Sequence, residues 1–291
     1  MFFKKIASAA AAVALSLTAS FTAHAADPIR FAVTDIAGME ELQREFGPFR
    51  DTLAKLVGRD VDFFAVNSRT AAVEAMNAKS VDFVLTGPAE YVVFRARTNA
   101  EPVVGWSRPG YFSQIVVMAD SPYITAQDLK GKRVAFGDVG STSQHLGPAR
   151  VLADLGLVLG KDYSPMNISR NVAVEGMIRG DIAAIGMNRT HLDRVEQAFP
   201  NHQFRVIARG GDLPSDVLIA GAHVPQDLQQ AVRKIFLDHG DEIRASLLQG
   251  EDNQKFKGGF FHTRITDADF NDVRTSYRVI GVNQFSEFVG D

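Results

Sequence analysis

The 291-residue chain contains no cysteine. That excludes a disulfide framework, a thiolate nucleophile, a thiolate metal site and a lipidated N-terminal cysteine, so stability must come from packing alone. Long apolar runs are also scarce. The one extended stretch, from Ile6 to Phe21, falls short of the roughly 20 residues a membrane span needs. Runs of Lys and Arg with interleaved aromatics are missing, and acidic residues outnumber basic ones, 34 to 31; nucleic acid is not an expected partner. The spacings H-E-x-x-H, G-x-S-x-G and a glycine loop ending in Gly-Lys-Ser/Thr do not occur. Zinc hydrolysis, acyl transfer at a nucleophile elbow and phosphoryl transfer at a P-loop lose their usual signatures. No cofactor, metal site or catalytic group is expected.

At the N-terminus, Lys4 and Lys5 precede the apolar stretch, and small residues stand at Ala23 and Ala25. This is the pattern of a secretory signal peptide over residues 1–25, cleaved after Ala25. Its loss takes two basic residues with it and leaves about 265 residues with a net charge near minus five. If the ligand is an anion, its attraction has to be local, from oriented N–H groups and one or two cations.

From Ile29 onward, short β-rich runs alternate with amphipathic segments. IRFAVT is followed by a helix carrying Phe49, Leu53, Leu56 and Val57, then by VDFFAV; spacings of four, three and one are helical. Ser68 stands where an N-cap would precede AAVEAMNA, and VDFVLTG at 81–87 reads as the next buried strand. This βαβαβ opening requires parallel strands. The pattern recurs at RVAFGD (133–138), IAAIGMN (182–188) and FRVIAR (204–209), while SQIVVMA (113–119) and VLIAG (217–221) read as hinge strands. The remainder is mostly helical, with Pro225 at one helix start and a Thr266/Asp269 capping pattern at another, and is expected to pack on the first lobe. The expected architecture is α/β with two lobes, mostly parallel mixed sheets and a two-strand hinge. Lobe 1 comprises 27–115 and 211–291, and lobe 2 comprises 116–210.

Two segments carry chemistry. In DLKGKRVAFGDVGSTSQHLGP, a strand ends at Gly137, a loop holds Gly140, and Ser141, Thr142 and Ser143 open a helix. Helix starts expose unpaired N–H groups and about half a positive charge, and hydroxyls placed there add donors aimed at the same spot, which makes an anion cradle. The alternative is that Ser141 simply caps the helix. In VDFVLTGPAEYVVF, Tyr91 follows a strand ending in Gly87 and Pro88; its hydroxyl could reach across a cleft, or its ring could pack beneath the loop.

These segments, with DFVLTGPAEYV (82–92) and VEGMIRGDIAAIG (174–186), resemble the phosphate, phosphite and phosphonate solute-binding proteins of ABC importers. The resemblance runs from Ile29 to Asp291. It implies a type II periplasmic-binding-protein fold, a periplasmic location and no enzymatic activity. The implied ligand is a phosphorus oxyanion held by Ser141, Thr142, Ser143 and Tyr91, and the implied partner is an ABC permease served by a monomer. A sensor module of the same fold, or a sulfonate, carboxylate or arsenic oxyanion as ligand, are the alternatives.

The sequence departs from the family pattern twice. Arg170 stands where the family commonly has a histidine, and Asn188 near its usual carboxylate. Both changes make the pocket less negative and point to a more highly charged ligand, unless Arg170 only forms a surface ion pair. Asp35, and Ser68 with Arg69 and Thr70, are further candidates because ligand groups in α/β sheets come from the carboxyl ends of strands; Asp35 could instead be a plain loop residue and Ser68 a cap. Trp106, Arg108 and Tyr111 stand near the expected hinge and are read chiefly as hinge packing, the alternative being that they line the cleft for a substituent on phosphorus. His145 is read as a helix residue near the ligand.

Overall fold

The computed structural model describes residues 27–285; the signal-peptide reading of 1–25 lies outside them. Among the described residues the chain forms two mixed sheets flanked by helices. The first half supplies β1 (Ile29–Val33), α1 (Met39–Val57), β2 (Val61–Phe63), α2 (Arg69–Asn77), β3 (Phe83–Thr86), α3 (Pro88–Thr98) and β4 (Glu101–Trp106). The chain then enters β5 (Phe112–Met118), β6 (Arg133–Phe136), α4 (Gly147–Asp154), β7 (Ser164–Asn167), α5 (Arg170–Ile178), β8 (Ala184–Asn188), α6 (Arg189–Ala198) and β9 (Phe204–Asp212). It returns through β10 (Asp216–Ala220), α7 (Gln226–Asp238), α8 (Gly240–Leu247), β11 (Phe261–His262) and α9 (Asn271–Val279).

The first sheet has the order β11-β4-β10-β3-β1-β2 and the second β7-β6-β8-β5-β9. In the first, β1 runs parallel to β2 and β3, and β10 is antiparallel to β3 and β4. In the second, β6 runs parallel to β7 and β8, and β5 is antiparallel to β8 and β9. Both faces of each sheet are covered, so their strands read as continuous apolar runs. Alternation sorts the side chains: Phe31 and Val33 of β1 join the core with α1, α7 and α8, whereas Ala32 joins the core with α2, α3 and α9. In β6, Val134 and Phe136 face the core with α4, and Ala135 the core with α5.

The chain passes between the sheets at 107–111 and at 213–215, and the Leu213 N–H donates to the Tyr111 carbonyl at 2.8 Å. The strands expected to cross, β5 and β10, flank these passages, and each belongs wholly to one sheet. Sheet membership therefore changes a few residues away from the lobe boundaries expected at 115 and 211. The sequence pattern also gave no sign of β7, which is an edge strand of only four residues, exposed at both ends and half-buried at Pro165 and Met166.

The C-terminal part does not pack on the first lobe alone. Helices α7 and α8 lie on α1 and β4, but α9 packs on both α3 and α4. Val273 and Tyr277 share the α3 core, which also takes in Leu146 from beside α4, and Val279 meets the α4 core.

The start of α4 approaches β5 closely. A Cβ on Gly147 would lie 2.1 Å from Ser113 Oγ and 2.9 Å from the Thr142 carbonyl oxygen. Overpacking of this kind costs about 1–3 kcal/mol, so Gly147→Ala is expected to lower the unfolding free energy by that amount and the urea midpoint with it; an unchanged midpoint would show that the turn before α4 can shift freely.

Candidate functional site

The cleft-side ends of β1, β3 and β10 meet those of β6 and β8 across a cavity of about 240 Å³. That is room for about eight waters at ~30 Å³ each, more than a bare tetrahedral oxyanion fills.

On the second-sheet side, the chain leaves β6, turns through Gly140 in the left-handed region (φ 84°) and enters a wide turn over Thr142–Leu146 that runs into α4. Both the His145 and Leu146 N–H groups bond back to the Ser141 carbonyl, at 3.1 and 3.0 Å. The N–H groups of Thr142, Ser143 and Gln144 open this turn and have no preceding turn to bond to. Buried His145 holds the loop by accepting the Gly140 N–H on Nδ1 at 3.1 Å. The Ser143 carbonyl accepts from Ser113 Oγ at 3.1 Å.

Ser141, Thr142 and Ser143 all line the cavity. Asn188 lines it too, but its amide is engaged on both atoms: Nδ2 donates to Ser143 Oγ at 2.9 Å, and Oδ1 accepts the His191 N–H at 2.9 Å, capping α6. Its evident work is to orient Ser143.

On the first-sheet side, Thr86, Gly87 and Glu90 at the start of α3 face that turn. The Ala89 N–H donates to Thr142 Oγ1 at 3.0 Å in a buried bond that joins the two lobes. Around this point lies a wall of paired charges. Arg108 donates to Asp216 through Nε and Nη2 at 2.6 and 2.5 Å, and its guanidinium lies 4.5 Å from the Tyr111 ring centroid. Lys255 donates to Asp35 at 3.0 Å, with Arg108 3.9 Å from the same carboxylate. Lys255 first, and then Arg108, hold the Asp35 carboxyl well below the usual range. Arg69 Nε stands 2.6 Å from Glu90 Oε1 without hydrogen-bond geometry. Burial is the largest cause that pushes Glu90 up, to about 7, against the pull of Arg69. From α6, His191 and Arg194 complete the cavity; burial and the neighbouring arginines 170 and 194 push His191 down to about 4.

Three sequence candidates lie elsewhere. Tyr91 is fully buried, its ring 4.1 Å from that of Phe270, and its hydroxyl donates to Asp267 at 2.8 Å. The notion that it reaches into the cleft is corrected: Glu90, one residue earlier on α3, faces the cavity, and the 100° step of a helix turns Tyr91 into the core. Ser68 accepts the Ala71 N–H at 3.1 Å and caps α2, outside the cavity lining. Arg170 opens α5, half-buried beside Arg194 and His191, in no ion pair among the described residues and not part of the lining. Conversely, Glu90, Asp216 and Lys255 were missed as site residues, while Arg69, a candidate beside Ser68, and Arg108 and Tyr111, read as hinge packing with a cleft-lining alternative, all line the cavity. They come from elements far apart in the sequence, and the only local hint was charge in otherwise apolar surroundings, such as Glu90 within VLTGPAEYVVF. Among the described residues no cluster of His, Asp and Glu could hold a metal ion, and no helix is long and apolar enough to cross a membrane.

Residues 31–271 match the family model described as the periplasmic substrate-binding protein of a phosphonate ABC transporter. The chain belongs to this family. Two curated relatives are the phosphate-import protein PhnD of Mycolicibacterium smegmatis, 33% identical over 181 residues, and the phosphonates-binding periplasmic protein of Escherichia coli, 23% identical over 223 residues. The matches cover 57% and 73% of this chain, but only 56% and 66% of those proteins' own lengths. Among solved structures, PhnD1 of Prochlorococcus marinus in complex with methylphosphonate superposes with a TM-score of 0.62 at 19% identity, covering 87% of this chain and 98% of that one. At that identity the likeness speaks for the fold, that of a type II periplasmic binding protein. In this member of the phosphonate-binding family, the Ser-Thr-Ser turn and the charged wall face each other across the cleft of that fold.

Tyr91→Phe is expected to cost about 1 kcal/mol of stability through the lost hydrogen bond to Asp267 while leaving anion affinity unchanged, as a denaturant melt and a titration of the same variant would show. A large loss of affinity at unchanged stability would return Tyr91 to the site. Acid should also destabilise the fold. Burial holds His145 down, at about 4 instead of 6.5, so the fold favours its neutral form. That contribution is whole above the unfolded value and is lost as pH falls through the folded one, at up to about 1.4 kcal/mol per pH unit. Urea midpoints measured from pH 7 to pH 4 should decline and His145→Asn should flatten the decline; identical slopes for both proteins would count against it.

Proposed function

We propose that this protein captures a small phosphorus oxyanion (phosphate, phosphite or a phosphonate) in the cleft between its two lobes and delivers it to an ABC permease. It acts as an exported monomer that binds without turning its ligand over. The expected lobes, 27–115 with 211–291 and 116–210, shift by a few residues to follow the sheets, so that the second lobe spans 112–212. The observation that carries this reading is the Ser141-Thr142-Ser143 turn. It presents hydroxyls and the unpaired N–H groups of a helix start to a cavity that also opens on the start of α3. Such a turn holds an oxyanion through oriented donors, without a dedicated cation. The names of the two curated relatives, one a phosphate importer and one a phosphonate binder, support the same ligand class.

The reading excludes catalysis because the cleft offers no nucleophile beside a base. The hydroxyl of Ser143 is held by Asn188, and that of Thr142 by a backbone N–H. Nucleic acid is excluded as a partner by the acidic excess. Export rests on the signal-peptide pattern of residues 1–25, and the absence of cysteine removes a thioether lipid anchor.

Thermal unfolding with phosphate, phosphite, methylphosphonate, 2-aminoethylphosphonate, sulfate and arsenate is the test. A phosphorus ligand at a hundredfold excess over its dissociation constant stabilises by about 2.7 kcal/mol, and Ser143→Ala should lose most of that shift while keeping its unliganded midpoint within a few degrees. Stabilisation by sulfate alone, or equal shifts for Ser143→Ala and the parent, would overturn the reading.

A further inference from the structure

Glu90 is an unusual presence in an anion site. Its side chain is 4% exposed, and it lines the cavity at the start of α3 where the Ala89 N–H meets Thr142 of the cradle. The carboxyl folds back over Gly87, so that a Cβ added there would lie 2.6 Å from Oε2. An ionised carboxylate in this position would repel an oxyanion held by Ser141, Thr142 and Ser143, with little water between them to screen the repulsion.

The other wall carboxylates are differently placed. Asp216 on β10 receives two hydrogen bonds from Arg108, and Asp35 after β1 receives one from Lys255. Glu90 meets its cation, Arg69 of α2, through a single 2.6 Å ion-pair contact that is poorly aligned for a hydrogen bond. Around it stand Asp35 and Asp216, both negative, with Tyr111 from the passage between sheets and Tyr277 from α9, both buried phenols. With all three acids ionised, the wall of Arg69, Arg108 and Lys255 against Asp35, Glu90 and Asp216 is neutral, and Arg194 from α6 answers only part of the charge of a doubly charged ligand. Burial pushes Asp216 up as well, but the two hydrogen bonds from Arg108 oppose it, so Glu90, with its single misaligned cation contact, is the carboxyl that takes a proton at lower cost.

Resting on the oxyanion reading of the cleft, we propose that Glu90 takes up one proton from solvent as the ligand enters, so that the oxyanion is held doubly ionised with a neutral carboxylic acid beside it. The carboxylate becomes a carboxylic acid and no other bond changes. In that form Glu90 can donate an O–H to a ligand oxygen, a charge-assisted bond, where the ionised form could only accept. Burial already pushes the group up to about 7 in the unliganded cleft, and a neighbouring negative charge acts in the same direction. Glu90 would then be a specificity residue. The site admits a dianion at the expense of one proton, and its affinity weakens with rising alkalinity.

The test is calorimetry with methylphosphonate at about pH 9, where both Glu90 and the ligand are ionised when free. It is run in two buffers of different ionisation enthalpy, so that the difference in heat counts protons. About one proton should be taken up per ligand by the parent protein, and close to none by Glu90→Gln. Uptake that persists in Glu90→Gln puts the proton on the ligand and overturns the proposal, as does the absence of uptake in the parent. If Glu90→Gln does not fold, infrared difference spectra of the parent on adding methylphosphonate decide. A gained carboxylic-acid C=O band supports the proposal and its absence overturns it. No binding heat with either methylphosphonate or inorganic phosphate would instead overturn the oxyanion reading beneath it.

Discussion

The buried bond from the Ala89 N–H to Thr142 Oγ1 is the point on which the geometry of the cleft depends. It joins the beginning of α3, which belongs to the first sheet, to the turn before α4, which belongs to the second. Two helix starts meet there, each bringing a partial positive charge and unbonded N–H groups. Everything that approaches this junction is arranged around it. Ser113 holds the Ser143 carbonyl, Asn188 holds the Ser143 hydroxyl, and His145 fixes the loop through Gly140. Gly147 leaves the space that lets the turn lie against β5. Helix α9, packed on α3 and α4 together, adds the Tyr277 hydroxyl bond to the Ala89 carbonyl at 3.1 Å and braces the same residue from behind.

The charged wall is the counterpart of that junction. Its pairs are expensive to bury, and a buried ion pair by itself is weak evidence for stability. Their place in the cleft gives them another meaning. Arg108 and Lys255 are held by Asp216 and Asp35 in defined positions instead of reaching freely into the cavity, so the cleft presents pre-oriented donors with little net charge. A protein with an overall acidic balance can in this way hold an anion without a basic surface. Glu90 sits where the two arrangements touch, which is why a single proton there alters the balance of the whole site.

Much of the architecture was legible in the chain. The apolar runs of β1, β3, β6, β8 and β10 are buried on both faces, and such strands declare themselves by composition. Phe49 and Leu53 fell on the inward face of α1 as their spacing required. The Ser-Thr-Ser cluster was legible because its chemistry is local: three hydroxyls at a helix start, after a glycine. Tyr91 was misplaced because its neighbours in sequence suggested a site, while its direction depends on the phase of α3. Ser68 had two readings open, and the cap is what the structure records. Arg170 stands behind His191 and Arg194, which α6 carries into the cavity ahead of it.

By itself the sequence determined the alternation of strands and helices, the packing-only stability of a chain without thiols, and the clustering of three hydroxyls at a helix start over residues 141–143. Those properties depend on composition and on neighbours within one turn or one strand. Only the tertiary structure decided that Arg69, Glu90, Arg108, Asp216 and Lys255 share one wall opposite that turn. Their elements are distant in sequence and are brought together by the order of the first sheet and by the two passages at 107–111 and 213–215. The charge state of Glu90 belongs to the same category, since burial and the placement of Arg69, Asp35 and Asp216 set it. No local pattern of residues carries that information.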